Sequence, residues 1–275
     1  MGLTIVPQCY PSGVTITSRQ NPLVARFRDA ARGDAVGVML LDGAHLVADA
    51  IAAAVTFQLA AVTPASSEQP DVRALVDALA ASGVEVITVS ASVMDAASPV
   101  KTPSGIVALA ERPPIDVDRL YAGPAPVVVT AIDVQDPGNL GAIVRVAEAA
   151  GATGFVAAGG SANPFSWKAL RGSMGSALRL PIASEMSADE AVAEARRRGC
   201  RVIAAVPRDG QSLFDVDLSG PIAVLIGGEG QGLSSAITDA ADDRITIPMQ
   251  APVESLNAAV TAALLVYEAR RQRRT

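Results

Sequence analysis

Val127-Val-Val-Thr-Ala-Ile-Asp-Val-Gln-Asp-Pro-Gly-Asn-Leu-Gly-Ala-Ile-Val-Arg145 decides the fold of this chain. Its first six residues carry no charge and are rich in valine, the pattern of a parallel strand buried on both faces. A Pro-Gly turn follows, and a helix over 140–150 is expected to start beside Asn139, a natural cap. The same alternation runs on downstream. Strands are expected over 154–157, 201–206, 222–226 and 244–247, with helices over 188–198, after Leu233, and over about 255–271. Ser187 and Glu190 carry the signature of a capping box. Repeated strand–helix–strand units predict a doubly wound parallel sheet, whose ligands sit beyond the carboxyl ends of the strands.

Working upstream, residues 112–126 hold four prolines in fifteen positions and read as a linker. Taken as 113–126, it divides a domain over 1–112 from one over 127–275. In the first, Asn21-Pro22 opens a helix that runs to 32 and stops at Gly33. Strands over 36–41, 58–62, 84–89 and 106–110, with helices over 44–54 and 71–81, make a smaller α/β sandwich.

The chain has 275 residues, half of them hydrophobic but only 3% aromatic, so Ala, Val, Leu and Ile must build the cores, and disorder is excluded. Two cysteines, Cys9 and Cys200, are too few for a disulfide framework, and with the single His45 they make no Cys/His metal cluster. No metal is therefore expected. No apolar run approaches the ~18 residues of a membrane span, and residues 1–8 lack a signal peptide's basic start. A cytoplasmic protein with no membrane partner is expected. The net charge of −6 is opposite to the usual nucleic-acid footprint. Yet 20 of the 22 cationic residues are arginines, and Arg19, Arg26, Arg28 and Arg32 gather around one acid, Asp29. Arg270, Arg271, Arg273 and Arg274 form a second group. Basic patches on an acidic body can hold phosphates, although a solvated helix face explains them too.

Three segments carry residues that folding alone does not demand. In the first, Asn139 and Arg145 are expected on broadly the same side of a helix, with Arg145 among Ile143, Val144 and Val146 and in need of an anionic or carbonyl partner if buried. The second, Ile226-Gly-Gly-Glu-Gly-Gln-Gly-Leu-Ser234, puts four glycines in six positions after a strand, so a backbone must come close to something. It is no P-loop: Leu233 stands where the phosphate-binding lysine belongs, and Glu229 would repel phosphate. In the third, Ile247-Pro-Met-Gln-Ala-Pro-Val-Glu-Ser-Leu-Asn257, Ser255 is the expected cap of the last helix, which leaves Asn257 unexplained.

In order and spacing these segments resemble the three motifs of the SpoU (TrmH) family of RNA 2′-O-ribose methyltransferases, of the SPOUT superfamily. Lys168-Ala-Leu-Arg-Gly-Ser-Met-Gly and Leu180-Pro181 look like the family's middle segment, and residues 16–24, 41–47 and 102–106 like its N-terminal RNA-binding domain. Ala251 departs from a usual glycine, and Trp167 is unusual before the lysine. The resemblance implies a knotted C-terminal methyltransferase domain, S-adenosylmethionine as cofactor, an RNA substrate and a homodimer. It assigns Asn139, Arg145, Glu229, Ser255 and Asn257 to catalysis or substrate placement. The cofactor would lie against the backbone around Gly227, Ile247 and Leu256, with the loop after Val206 helping to enclose it. Arg19, Arg26, Arg28 and Arg32 would meet RNA. Because arginine stays protonated at working pH, Arg145 reads as a phosphate clamp and alkoxide stabiliser rather than a base, with Glu229 orienting it or coupling two protomers. Large-subunit rRNA leads as target; tRNA, base methylation, and a non-catalytic RNA-binding module are the alternatives.

Overall fold

The computed structural model describes residues 15–33 and 35–274; the expectations on Cys9 and on residues 1–8 lie outside them. The chain divides into two compact units, Met1–Arg112 and Pro113–Thr275.

The first unit contains α1 (Pro22–Arg32), β1 (Val38–Asp42), α2 (Ala44–Ala52), β2 (Phe57–Val62), α3 (Pro64–Ser67), α4 (Pro70–Ala81), β3 (Val86–Thr88), α5 (Ala91–Ala97) and β4 (Ile106–Glu111). The Asn21 side chain accepts from the Leu23 amide at 2.9 Å, Pro22 takes the first position, and Gly33 closes α1 in a left-handed conformation. The sheet order is β1-β4-β2-β3; β4 is antiparallel to both neighbours, and β3 is parallel to β2. Leu23, Val24 and Phe27 of α1 pack with Leu40, Leu59, Val107 and Leu109 of the strands. Helix α5 was not expected. Ser90 starts it by accepting from the Val93 amide at 3.3 Å.

In the second unit the order is α6 (Val117–Leu120), β5 (Val127–Ile132), α7 (Pro137–Ala150), β6 (Gly154–Ala158), α8 (Trp167–Ser173), β7 (Ile182–Met186), α9 (Ala188–Arg197), β8 (Arg201–Ala205), β9 (Gln211–Ser212), β10 (Ile222–Gly227), α10 (Ser235–Ala240), β11 (Asp243–Thr246) and α11 (Ala258–Gln272). Seven strands pair in the order β7-β6-β5-β10-β8-β11-β9, every pairing parallel. Central strands β5 and β6 are buried at every residue, as strands covered on both faces must be. The capping box of Ser187 and Glu190 is present at α9.

The proline-rich stretch 113–126 is not a bare linker. It contains α6, and Leu120 and Tyr121 enter the core of the second unit. The Leu120 carbonyl accepts from the Thr153 hydroxyl at 2.7 Å, and the Arg198 guanidinium lies 5.8 Å from the Tyr121 ring. Burial pushes the Tyr121 hydroxyl up to about 12, partly against the pull of Arg198. The burial of Leu120 and Tyr121, with Val117 packed beside them, outweighs the prolines, which leave φ fixed but do not forbid a helical turn between them. Among the described residues, no helix is long and apolar enough to cross a membrane.

Candidate active site

The loops after β8, β10 and β11 meet at the carboxyl edge of the parallel sheet and enclose a cavity of about 550 Å³. Val206 and Pro207 form one wall, the loop 227–233 a second, and Ile247, Met249 and residues 255–258 a third. Gly227, Ile247 and Leu256 all line it, and so do Glu229, Ser255 and Asn257. An exposed ion pair, Arg208 with Glu254 at 2.9 Å, joins the loop after β8 to the one before α11.

Backbone-to-backbone contact explains two of the four glycines of the second segment, Gly227 and Gly228; Gly230 and Gly232 instead turn the loop at positive φ, +89° and +64°. A Cβ on Gly227 would lie 2.4 Å from the Gly232 carbonyl carbon, and one on Gly228 would lie 2.0 Å from the Asp133 carbonyl oxygen. Both neighbours are backbone and cannot swing away. The Gly232 amide donates to the Gly228 carbonyl at 3.1 Å, so the loop closes on itself. The close approach read from the sequence is therefore made first within the protein.

Three of the expected polar residues form one hydrogen-bonded chain. The Asn257 amide donates to the Asn139 side-chain oxygen at 3.1 Å, and the Asn139 amide nitrogen donates to the Glu229 carboxylate. Asn257 is fixed because its own oxygen caps α11, accepting from the Ala259 and Val260 amides at 2.9 and 3.3 Å. Asn139 is fixed from behind: its backbone amide donates to the Asp136 carboxylate at 2.7 Å. Two caps thus differ from expectation. Asp136, not Asn139, caps α7, because Pro137 takes the first helical position and sets the start three residues earlier. Asn257, not Ser255, caps α11; Ser255 stays exposed on the extended loop.

Arg145 does not share the side of Asn139. Six residues turn through about 600°, which leaves the two side chains roughly 120° apart around α7. Arg145 is exposed, lies outside the cavity lining, and has no hydrogen bond or ion pair among the described residues. Its apolar sequence neighbours Ile143 and Val144 point into the core instead. Lys168 and Arg171, exposed on α8, likewise make no hydrogen bond or ion pair among the described residues; Lys168 Nζ lies 5.6 Å from the Trp167 ring. Helix α8 packs tightly on α7, where a Cβ on Gly141 would lie 2.3 Å from the Ala169 carbonyl oxygen.

The four arginines of the first unit are not equivalent. Arg28 donates to the Ala96 carbonyl at 2.8 Å, and Arg32 pairs with Asp29 at 2.5 Å. Arg19 and Arg26 have no such partner among the described residues.

A family model described as SpoU rRNA methylase matches residues 126–267, and one described as an MRM3-like substrate binding domain matches residues 26–108. A relative from Synechocystis, termed an uncharacterised tRNA/rRNA methyltransferase, is 35% identical over 94% of this chain and 94% of its own length. A 23S rRNA guanosine 2′-O-methyltransferase of Bacillus subtilis is 31% identical over 68% of this chain and 73% of its own. The crystal structure of the SpoU methyltransferase AviRb from Streptomyces viridochromogenes, in complex with the cofactor AdoMet, covers 92% of this chain and 98% of its own, with a TM-score of 0.82 at 28% identity. Similarity along nearly the whole chain joins the motif geometry here, and the chain belongs to the SpoU rRNA methylase family.

Proposed function

We propose that this protein transfers the methyl group of S-adenosylmethionine to a ribose 2′-hydroxyl of RNA, with large-subunit rRNA as the substrate class. The observation that carries the reading is the Asn257–Asn139–Glu229 chain at the rim of the cavity. Three side chains from three separate segments are oriented there by one another, and none is needed to hold the sheet together. The names of the Bacillus subtilis relative and of the AviRb complex support ribose as acceptor and S-adenosylmethionine as donor.

The cavity fits a nucleoside-sized cofactor in volume and character. Ile247 and Leu256 offer apolar surface, and the backbone around Gly227 offers polar groups. S-adenosylmethionine brings a methyl group on a good leaving group, so the protein's task is alignment and charge control. Asn139 and Asn257 orient the ribose, Ser255 adds a hydroxyl at the rim, and Glu229 accepts hydrogen bonds from the oriented groups. Arg145, permanently cationic and without an ion pair among the described residues, clamps a phosphate of the substrate. Its exposure on α7, with Lys168 and Arg171 on the adjoining α8, supports an RNA backbone there. The first unit adds RNA affinity, with Arg19 and Arg26 the available cations. We infer a trefoil knot at the cavity edge from family membership, and a homodimer through α7 and α11, the latter leaving Val260, Leu264 and Tyr267 48%, 41% and 49% exposed. Light scattering at micromolar concentration is expected to give twice the monomer mass.

The test uses the protein, S-adenosylmethionine and an unmodified large-subunit rRNA transcript. A single alkali-resistant ribose is expected, and a 2′-deoxy nucleotide at that position abolishes transfer. Methylation on a base would overturn the ribose assignment, and transfer only to tRNA would replace the substrate class.

A further inference from the structure

Asp133 ends β5 in the left-handed conformation, with φ +57°. Aspartate is among the few side chains that tolerate this region. Its carboxylate accepts from the Gly160 amide at 2.6 Å, in the loop after β6. Gly159 leaves room for it: a Cβ there would lie 2.6 Å from the same carboxylate oxygen. The Asp133 carbonyl, on its other side, abuts Gly228 in the loop after β10. The Asp133 amide donates to the Ala158 carbonyl at 3.3 Å, and the Gly228 amide to the Ile132 carbonyl at 2.9 Å. Three loops from three neighbouring strands therefore touch at one residue that lies outside the cavity lining.

Those contacts form a circuit with the polar chain. Glu229 follows Gly228, which rests on the Asp133 carbonyl. Three residues beyond Asp133, Asp136 caps α7 and holds Asn139 by its backbone amide. Asn139 then donates back to Glu229. Both ends of that hydrogen bond are thus carried by segments that meet at Asp133. We propose that Asp133 is a positioning residue for methyl transfer: its bond to Gly160 locks the turn that keeps Asn139 and Glu229 in register. The inference rests on the methyltransferase reading for its kinetic test. A plain turn aspartate would satisfy the Gly160 amide and nothing more.

Asp133→Gly separates these roles, because glycine keeps the positive φ without strain and removes only the carboxylate. At saturating RNA and S-adenosylmethionine, single-turnover transfer to the rRNA transcript is expected to fall about 10²-fold, the scale of an ångström-level misalignment. Cofactor affinity by calorimetry and KM for RNA should stay within about twofold, so that the loss lies in kcat. The unfolding midpoint should move by less than about 4 °C. Asp133→Asn keeps an acceptor oxygen and the left-handed preference, and is expected to restore most of the rate. Hydrogen exchange gives a second readout that needs no substrate: in Asp133→Gly, segments 134–140 and 228–233 should both exchange faster, while β8 and β11 do not. Wild-type turnover in Asp133→Gly, or cofactor affinity falling in step with rate, would overturn the proposal, and so would unchanged exchange in both segments. Wild-type protein that transfers no methyl to any RNA would overturn the enzymatic reading instead, leaving the exchange result to decide whether Asp133 joins the loops.

Discussion

The turn glycines and helix arginines of the first unit do different work from the packed glycines and polar side chains at the cavity of the second. In the first, Gly37 and Gly83 adopt positive φ at turns where an added Cβ would meet nothing within 4 Å, and Arg28 and Arg32 are engaged within their own unit. In the second, Gly227 and Gly228 press backbone on backbone, and Asn139, Glu229 and Asn257 bond to one another at the rim of a cavity. The difference teaches where function is stored. A turn glycine serves the conformation of one residue, whereas a packed glycine serves the meeting of two segments. An arginine bonded to a backbone carbonyl or to an acid on its own helix is structural, whereas side chains from three segments that bond one another at the rim of a cavity are held for something else.

The comparison breaks first, and hardest, at the polar chain. Asn139→Ala should lower methyl transfer about 10²–10³-fold, the usual cost of one electrostatic contact to a transition state. Arg145→Ala should do the same with stability within about 0.5 kcal/mol, since the side chain is exposed and unpaired. Single-turnover kinetics paired with thermal unfolding checks both. Arg145→Lys restoring the rate would reduce the phosphate clamp to a simple charge.

Next in size is Gly228→Ala. Its Cβ would fall 2.0 Å from a backbone oxygen, and relief requires separating β10's loop from β5's. We expect a loss of about 2–3 kcal/mol, of the order of core overpacking, with cofactor binding abolished as the cavity wall shifts. Gly83→Ala, at φ +78° in open space, should cost only the left-handed penalty of about 1–2 kcal/mol and leave cofactor binding untouched. Equal effects on calorimetric binding would erase the distinction between the two kinds of glycine.

How much of this was legible follows the same division. The buried runs of β5 and β10 announced the parallel sheet, because strands covered on both faces need no alternation. The glycine loop is readable from its composition after a strand, whereas its place beside the third segment is implied only by the resemblance to the family. Which residue caps each helix was less legible. Asp136 and Asn139 are both cap formers, and Pro137 was the signal that decided between them. Ser255 and Asn257 pose the same choice, decided by where the extended loop ends. A spacing of six does not bring Arg145 to the side of Asn139, because a helix face recurs at three, four and seven residues. Edge strand β7 carries little strand signal because Ile182–Met186 has only two buried residues. Asp133 carries no sequence signal of its own; its importance comes from loops distant in sequence.

A smaller effect separates the arginines within the first unit. Reversing Arg19 and Arg26 to glutamate should flatten the salt dependence of RNA binding by ~0.7–0.9 in log–log slope for each phosphate no longer neutralised. Reversing Arg28 and Arg32 should flatten it less and destabilise more, since Arg28 bonds the α5 carbonyl of Ala96. Filter binding across a salt series, with unfolding measured in parallel, distinguishes the pairs. Identical slopes would return all four to a common solvated face.

The smallest effect tests whether α7 is divided along its length into a functional and a structural part. Near its carboxyl end, Glu148 accepts from Arg179 at 2.8 and 2.9 Å, a two-point pair. Burial raises the Glu148 carboxyl, but hydrogen bonds from Arg179 and Ser176 together outweigh it and hold the group below its ordinary value of 4.5. A depressed native pKa means that the pair's stabilisation is fully present above 4.5 and fades as pH falls through the lower native value. Arg179 is 40% exposed, so solvent screening limits the pair to under about 1 kcal/mol. Glu148→Gln should therefore lower the unfolding midpoint slightly at pH 7. The gap to wild type should close once the carboxylate is protonated, and shrink in high salt. Turnover at pH 7 should not change, because nothing ties Glu148 to the polar chain at the other end of α7. A midpoint gap that persists in acid would mean that the amide disturbs packing rather than charge. A fall in turnover at unchanged stability would extend the site along the whole helix, past Arg145, and dissolve the contrast between its two ends.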